Sequence, residues 1–126
     1  MFVGNGTQSS YAKLVVTASG VGFLTEDADV ISNQRSRSVT LPGPERIDLY
    51  LTIDPDLATV RPSYTVTTGG QTTARTYVGQ AVAVPSKWFV RSNGSSVALA
   101  VGLSSTSHGA APPFAANWDF IEVKPL

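Results

Sequence analysis

The clearest pattern along the chain is a period of two. In "RIDLYLTID", Ile47, Leu49, Leu51 and Ile53 fall on one side and Asp48, Tyr50, Thr52 and Asp54 on the other, the alternation of a strand with one buried face. "DPDL" then supplies a turn, and Val60, Tyr64 and Val66 alternate along a return arm, so this region reads as a hairpin. Pro62 removes a ladder donor from that arm, which places it at a sheet edge or at a bulge. "YAKLVVTASGVGFLTE" alternates about a break at Ser19 and Gly20 and predicts two short strands in a second hairpin. The polar stretch "DADVISNQRSRSVTLPGPER", ending in the breaker "LPGP", reads as a long connection containing one short strand.

Short strands are predicted again in "ARTYVG" and "QAVAVP". A loop or single turn follows in "SKWFVRSNG", where Asn93 and Gly94 suit a tight turn. In "SVALAVGLSS", Val97, Leu99, Val101 and Leu103 share a face, and the small Ala98, Ala100 and Gly102 opposite them imply that another layer lies close. "FAANWDFIEV" reads as the closing strand, with Trp118 in the core among Phe114, Phe120, Ile121 and Val123. No helix of ordinary length is predicted. Short strands at regular spacing indicate an all-β fold, an antiparallel β-sandwich or jelly roll.

Composition narrows the partners. A chain of 126 residues is a single domain, residues 1–126, able to bury one real core. Nine basic and nine acidic side chains cancel, leaving no net field to attract nucleic acid or an anionic membrane, and neither partner is expected. Without cysteine the fold rests on packing alone, with no disulfide and no thiolate metal site. No apolar run reaches the ~20 residues that span a bilayer, and "MFVGNGTQSS" has no signal-peptide pattern. The initial Met directly precedes what already reads as folded sequence, and the expectation is a piece of a larger secreted protein.

Chemistry-bearing residues are sparse. The only histidine, His108, stands beside Ser104, Ser105 and Ser107 and before Asp119, the ingredients of a nucleophilic triad. Those serines belong to a chain-wide abundance of Ser and Thr, however, and no Gly-x-Ser-x-Gly elbow is present. With Gly109, Pro112 and Pro113 nearby, an exposed loop histidine is the favoured reading. Glu26, Asp27 and Asp29, and separately Asp54 and Asp56, could pair across a scissile glycosidic bond or hold calcium, which takes oxygen ligands. The plainer reading is a polar loop for the first group and a capped turn for the second. "TTGGQTT" lacks the lysine of a phosphate loop. Cofactors are therefore none, with calcium at Asp54 and Asp56 as the one alternative.

The remaining candidates are aromatic. Trp88 follows Pro85, Ser86 and Lys87 in a loop-like stretch, and Tyr50 stands on the polar side of its strand, where it could form a groove with Asp48 and Arg61. Aromatic rings with polar neighbours are what a sugar platform needs. The competing reading for Trp88 is that it folds back to cover one end of the sandwich.

"QSSYAKLV", "IDLYLTIDPDLATVRPSYTV" and "LAVGLSSTSHGAAPPFAANWDFIEV" together resemble the concanavalin A-like accessory module of large secreted bacterial proteins, found beside glucose/sorbosone dehydrogenase-like and PKD domains. The shared features are an aromatic-Xaa-Lys-Leu strand, an acidic turn after a long strand, and a final Trp-Asp pair, here Trp118 and Asp119. The resemblance covers nearly the whole chain and rests on strand and turn residues rather than on a catalytic signature. It implies a concanavalin A-like sandwich and a non-catalytic, extracellular carbohydrate-binding or adhesion-like module whose partner is a polysaccharide or glycan. In such modules further strands precede the segment matching Gln8 to Val16, so the chain is expected to be the C-terminal part of a larger sandwich. An incomplete sandwich exposes strand edges, which leads to the expectation of a homo-oligomer. The alternatives are a structural, self-assembling β domain without ligand and a small glycoside or ester hydrolase.

Overall fold

A computed structural model describes residues 1–39, 46–89, 99–107, 109 and 115–125. The breaker at 41–44, the turn at Asn93 and Gly94, the start of the strand at Val97 and Ala98, and His108, Pro112, Pro113 and Phe114 lie outside the described residues.

The fold is all-β and antiparallel, with two sheets sharing one core, the arrangement of a β-sandwich. The strands are β1 (Phe2–Gly4), β2 (Tyr11–Thr17), β3 (Gly20–Asp27), β4 (Val30–Ser38), β5 (Arg46–Asp54), β6 (Thr59–Thr68), β7 (Gln71–Thr72), β8 (Thr76–Tyr77), β9 (Val82–Ala83) and β10 (Ala100–Gly102). One sheet runs β10-β1-β2-β3-β4. In the other, β6 pairs with β5 on one side and with the short β7, β8 and β9 on the opposite side. Among the described residues no helix is long and apolar enough to cross a membrane.

Alternation places the core. Val3, Ala12, Leu14, Val21 and Phe23 of the first sheet meet Val60, Tyr64, Val78, Val82 and Val84 of the second, flanked by the partly buried Ile47, Leu49, Leu51 and Ile53. Both predicted hairpins form, Thr17 facing Gly20 at the end of the first and Asp54 facing Thr59 at the end of the second. The small face predicted around Gly102 to meet another layer is instead covered from within its own sheet. Phe2 lies opposite Gly102 in the ladder, and a Cβ added there would come within 2.4 Å of the Phe2 ring.

Several expectations are corrected. The polar connection after Asp27 holds a nine-residue strand, β4, paired along β3. Its sequence shows no apolar alternation because its inward positions are arginines. Arg35 and Arg37 sit opposite the core residues Phe23 and Val21, and they donate across the sandwich to the carbonyls of Gln80, at 2.9 Å, and Tyr77, at 3.3 Å. Inward-pointing charge on an edge strand also blocks further pairing.

Pro62 is on an interior strand, not an edge. Its carbonyl accepts from Val78 N–H at 3.0 Å, but it has no N–H to return. The ladder breaks there: β6 pairs with β8 at Ser63–Tyr77 and resumes with β9 at Val60–Val82. The arm that carries Pro62 keeps an unbroken register along β5, so the interruption lies in the facing segment and not in the arm itself.

The closing strand is not formed. Among residues 115–123 no ladder is made, and Trp118, expected in the core, is 47% exposed with its Nε1 donating to Ser105 Oγ at 2.9 Å. With no neighbouring strand to hold one side inward, its alternation buries neither face.

Candidate functional site

The Asp48, Tyr50 and Arg61 predicted as a groove do come together, on the outer face of the second sheet. Even-numbered positions of β5 point away from the core, and the register sets Asp48 opposite Thr65, Tyr50 opposite Ser63, and Thr52 opposite Arg61. On the far side of β6, Tyr77 of β8 lies opposite Ser63. Two tyrosines thus flank Ser63 on a single face, with Arg61, Thr65 and Asp48 around them.

Arg75, from the segment leading into β8, lies over the Tyr50 ring with its guanidinium carbon 3.9 Å from the centroid. Arg61 lies over the Tyr77 ring at 3.7 Å. These cation–π contacts fix two flexible side chains and draw their charge onto the sheet face. Thr65 Oγ1 donates to Asp48 Oδ2 at 3.3 Å, and its hydroxyl is 3.5 Å from that of Tyr50. Asp48 also pairs with Arg46, at 3.0 Å to its Nε. Ser63 Oγ and Arg61 Nε are buried without a hydrogen-bond partner among the described residues. Such orphaned groups are expensive to keep, and Ser63 lies between the two tyrosines with Arg61 next on the same face.

Sequence reasoning missed Ser63, Thr65, Arg75 and Tyr77. The first two were legible in principle, since they occupy the alternate positions of the return arm. Tyr77 and Arg75 were not, because a two-residue strand gives no periodic signal of where it pairs.

Trp88, the leading ring candidate, is corrected. It closes a single 3-10 turn, Ser86–Trp88, and is 1% exposed within the core. The turn after Pro85 swings the indole under the sandwich, where its burial satisfies more apolar area than an exposed position would. Neither ring face is open to a ligand.

The carboxylate groups take up other tasks. Tyr11 O–H donates to Glu26 at 2.6 Å, and this bond, ahead of burial and the charge of Glu26 itself, pushes the phenol up to about 12. Asp27 accepts from Ser10 Oγ at 3.0 Å and lies 3.5 Å from Lys87 Nζ. Asp54 Oδ1 accepts from Leu57 N–H at 2.9 Å, capping the β5–β6 turn, while Asp56 is exposed within that turn. Among the described residues no three His, Cys, Asp or Glu side chains gather as a metal site would require. His108 lies outside the described residues, so the triad has no geometry here.

A second feature lies at the edge of β5, which pairs with no strand but β6 among the described residues. The carbonyls of Pro62 and Val66 turn away from β5, toward Val78 and Thr73, so their ladder partners Leu51 and Ile47 direct their own backbone groups to the open side. Beside this edge is a cleft of about 410 Å³ lined by Val3, Val101, Leu49, Leu51 and Ile53, by Tyr50 and Arg75 of the outer face, and by residues 122–125.

Comparison with known protein families, with curated proteins and with solved structures finds no match.

Proposed function

We propose that the chain is a non-catalytic carbohydrate-binding or adhesion-like module of an extracellular protein, with the outer face of β5, β6 and β8 as its glycan platform. The observation that carries this reading is the convergence of Tyr50 and Tyr77 on one strand face with Asp48, Arg61, Thr65 and Arg75. Rigid rings give contact area at low entropic cost, and fixed donors and acceptors orient hydroxyls. The resemblance to concanavalin A-like accessory modules, with their jelly-roll sandwich, supports the same reading. The test is affinity electrophoresis through a panel of polysaccharides, with and without calcium. Retardation that is lost in Tyr50→Ala and Tyr77→Ala is expected; no retardation on any polysaccharide by the folded protein refutes the reading. A calcium requirement would point to Asp54 and Asp56.

A second reading, a self-assembling β domain, is favoured by the free β5 edge and its cleft. Trp118, Phe120, Ile121 and Val123 are all exposed, and added as a strand to β5 of another copy they would cover apolar surface while pairing its open backbone groups. Multi-angle light scattering distinguishes it: a concentration-dependent dimer or larger oligomer supports it, and a monomer mass throughout the micromolar range rejects it.

A further inference from the structure

We infer that the ligand of the outer face is an acidic polysaccharide, its carboxylate or sulfate groups held by Arg61 and Arg75; this rests on the glycan-binding reading above. Three observations lead to it.

The first is unbalanced charge. The face carries Arg46, Arg61 and Arg75 against Asp48 and Asp54, and Glu122, which lines the cleft beside Tyr50 and Arg75, is paired with Lys124 at 3.0 Å. Asp48 is engaged by Arg46 at 3.0 Å, and Asp54 is turned into its own loop, where it accepts from Leu57. Among the described residues no carboxylate lies within ion-pair distance of Arg61 or Arg75. In a chain whose total charge is zero, this leaves two cations without a carboxylate partner on one sheet face.

The second is geometry. A guanidinium lying over a ring gives its flat face to the aromatic and keeps its N–H donors in the plane, where a planar or trigonal anion can be held by two parallel bonds. Arg61 and Arg75 are already fixed in this way by Tyr77 and Tyr50, so little side-chain entropy is lost when an anion arrives.

The third concerns neutral sugars. Their usual hold on tyrosine is the ring face, and each ring here has one face occupied by a cation. One face of each ring is thus taken, which leaves less bare ring for a neutral sugar than two unstacked tyrosines would give.

The experiment measures affinity of the whole chain for polygalacturonate, dextran sulfate and uncharged dextran at low and at 0.3 M salt, the last chosen because the screening length then falls well below the ~10 Å of 0.1 M salt. Expected is binding to one or both anionic polymers, the pair separating carboxylate from sulfate recognition, with weaker binding to dextran. Arg75→Gln should lower the anionic affinity at least about tenfold, the equivalent of one charge-assisted hydrogen bond, and Arg75→Lys should restore only part of it, because the fork is lost. Arg75 is exposed, so its substitution keeps the test valid if Arg61→Gln disturbs folding. Lys13→Gln, an equal charge change on the other sheet, is the control. An equal loss with Lys13→Gln means diffuse attraction and overturns the inference. Binding to dextran as strong as to the acidic polymers, unchanged in Arg75→Gln, overturns the inference but leaves the glycan platform standing. Silence toward every polymer by the folded protein overturns both.

Discussion

Removing the Trp88 indole separates a core residue from a ligand residue in one experiment. The side chain is 1% exposed, and burial of a tryptophan removes ~150–250 Å² from water. At ~25 cal/mol per Å² this is about 4–6 kcal/mol of gross apolar transfer, in line with the ~3–5 kcal/mol found when large aromatics are cut to alanine. One term works the other way. Nε1 is buried with no acceptor among the described residues, so deleting it recovers part of a ~1–3 kcal/mol desolvation cost. Trp88→Ala should therefore destabilise by about 3 kcal/mol, and Trp88→Phe, which removes the orphan donor but keeps a ring, by about 1 kcal/mol. For 126 residues, at an unfolding entropy near 2.1 cal/mol/K per residue, these values correspond to falls in Tm of about 11 and 4 °C. The assay is thermal and urea unfolding followed by circular dichroism. A Trp88→Ala protein that melts within about 2 °C of its parent would refute the core assignment and return the indole to the list of ligand contacts.

Gly79 holds a φ of +90°, and a Cβ there would meet Arg35 Nη1 at 2.4 Å. Gly79→Ala should cost about 2 kcal/mol, and the cost should shrink in an Arg35→Ala background when the double-mutant cycle is closed by urea titration; equal cost in both backgrounds would mean that the arginine is not the obstacle. Tyr11, raised to about 12 by its bond to Glu26, should ionise above the ordinary phenol range in an ultraviolet titration, read as the difference between the protein and Tyr11→Phe. Because its folded value lies above the unfolded value of ~10, the stability it adds is complete below pH ~10 and lost as pH rises through about 12, a loss that Tyr11→Phe should not show. Asp54→Ala removes the acceptor of Leu57 N–H and should lower stability by about 1 kcal/mol, measured by chemical denaturation; Asp54→Asn, which keeps an acceptor, should recover most of it.

Much of the fold was legible in the chain because alternation is a local property. Ile47 to Ile53 against Asp48 to Asp54 assigns one face of β5 to the core and the other to the surface with no knowledge of any partner, and the turn residues between the arms of each hairpin fix their antiparallel pairing. The grouping of Asp48, Tyr50 and Arg61 followed from the same pattern, since residues two apart share a face and the hairpin register carries that face across to β6.

Long-range pairing and burial decided the rest. The inward side of β4 is arginine, which reads as solvent-facing until the opposite sheet presents the carbonyls of Tyr77 and Gln80 to receive it. Tyr77 and Arg75 join the candidate site because a two-residue strand docks where β6 has room beside Ser63. The two tryptophans exchanged their expected places for a related reason. Trp88 goes inside because a single turn after Pro85 carries it into the core that both sheets share, and Trp118 stays outside because no strand among the described residues pairs with the segment that bears it. A sequence specifies how a side chain faces relative to its neighbours two positions away; whether that face meets another sheet or water is settled only when residues far apart in the chain compete for the same buried volume.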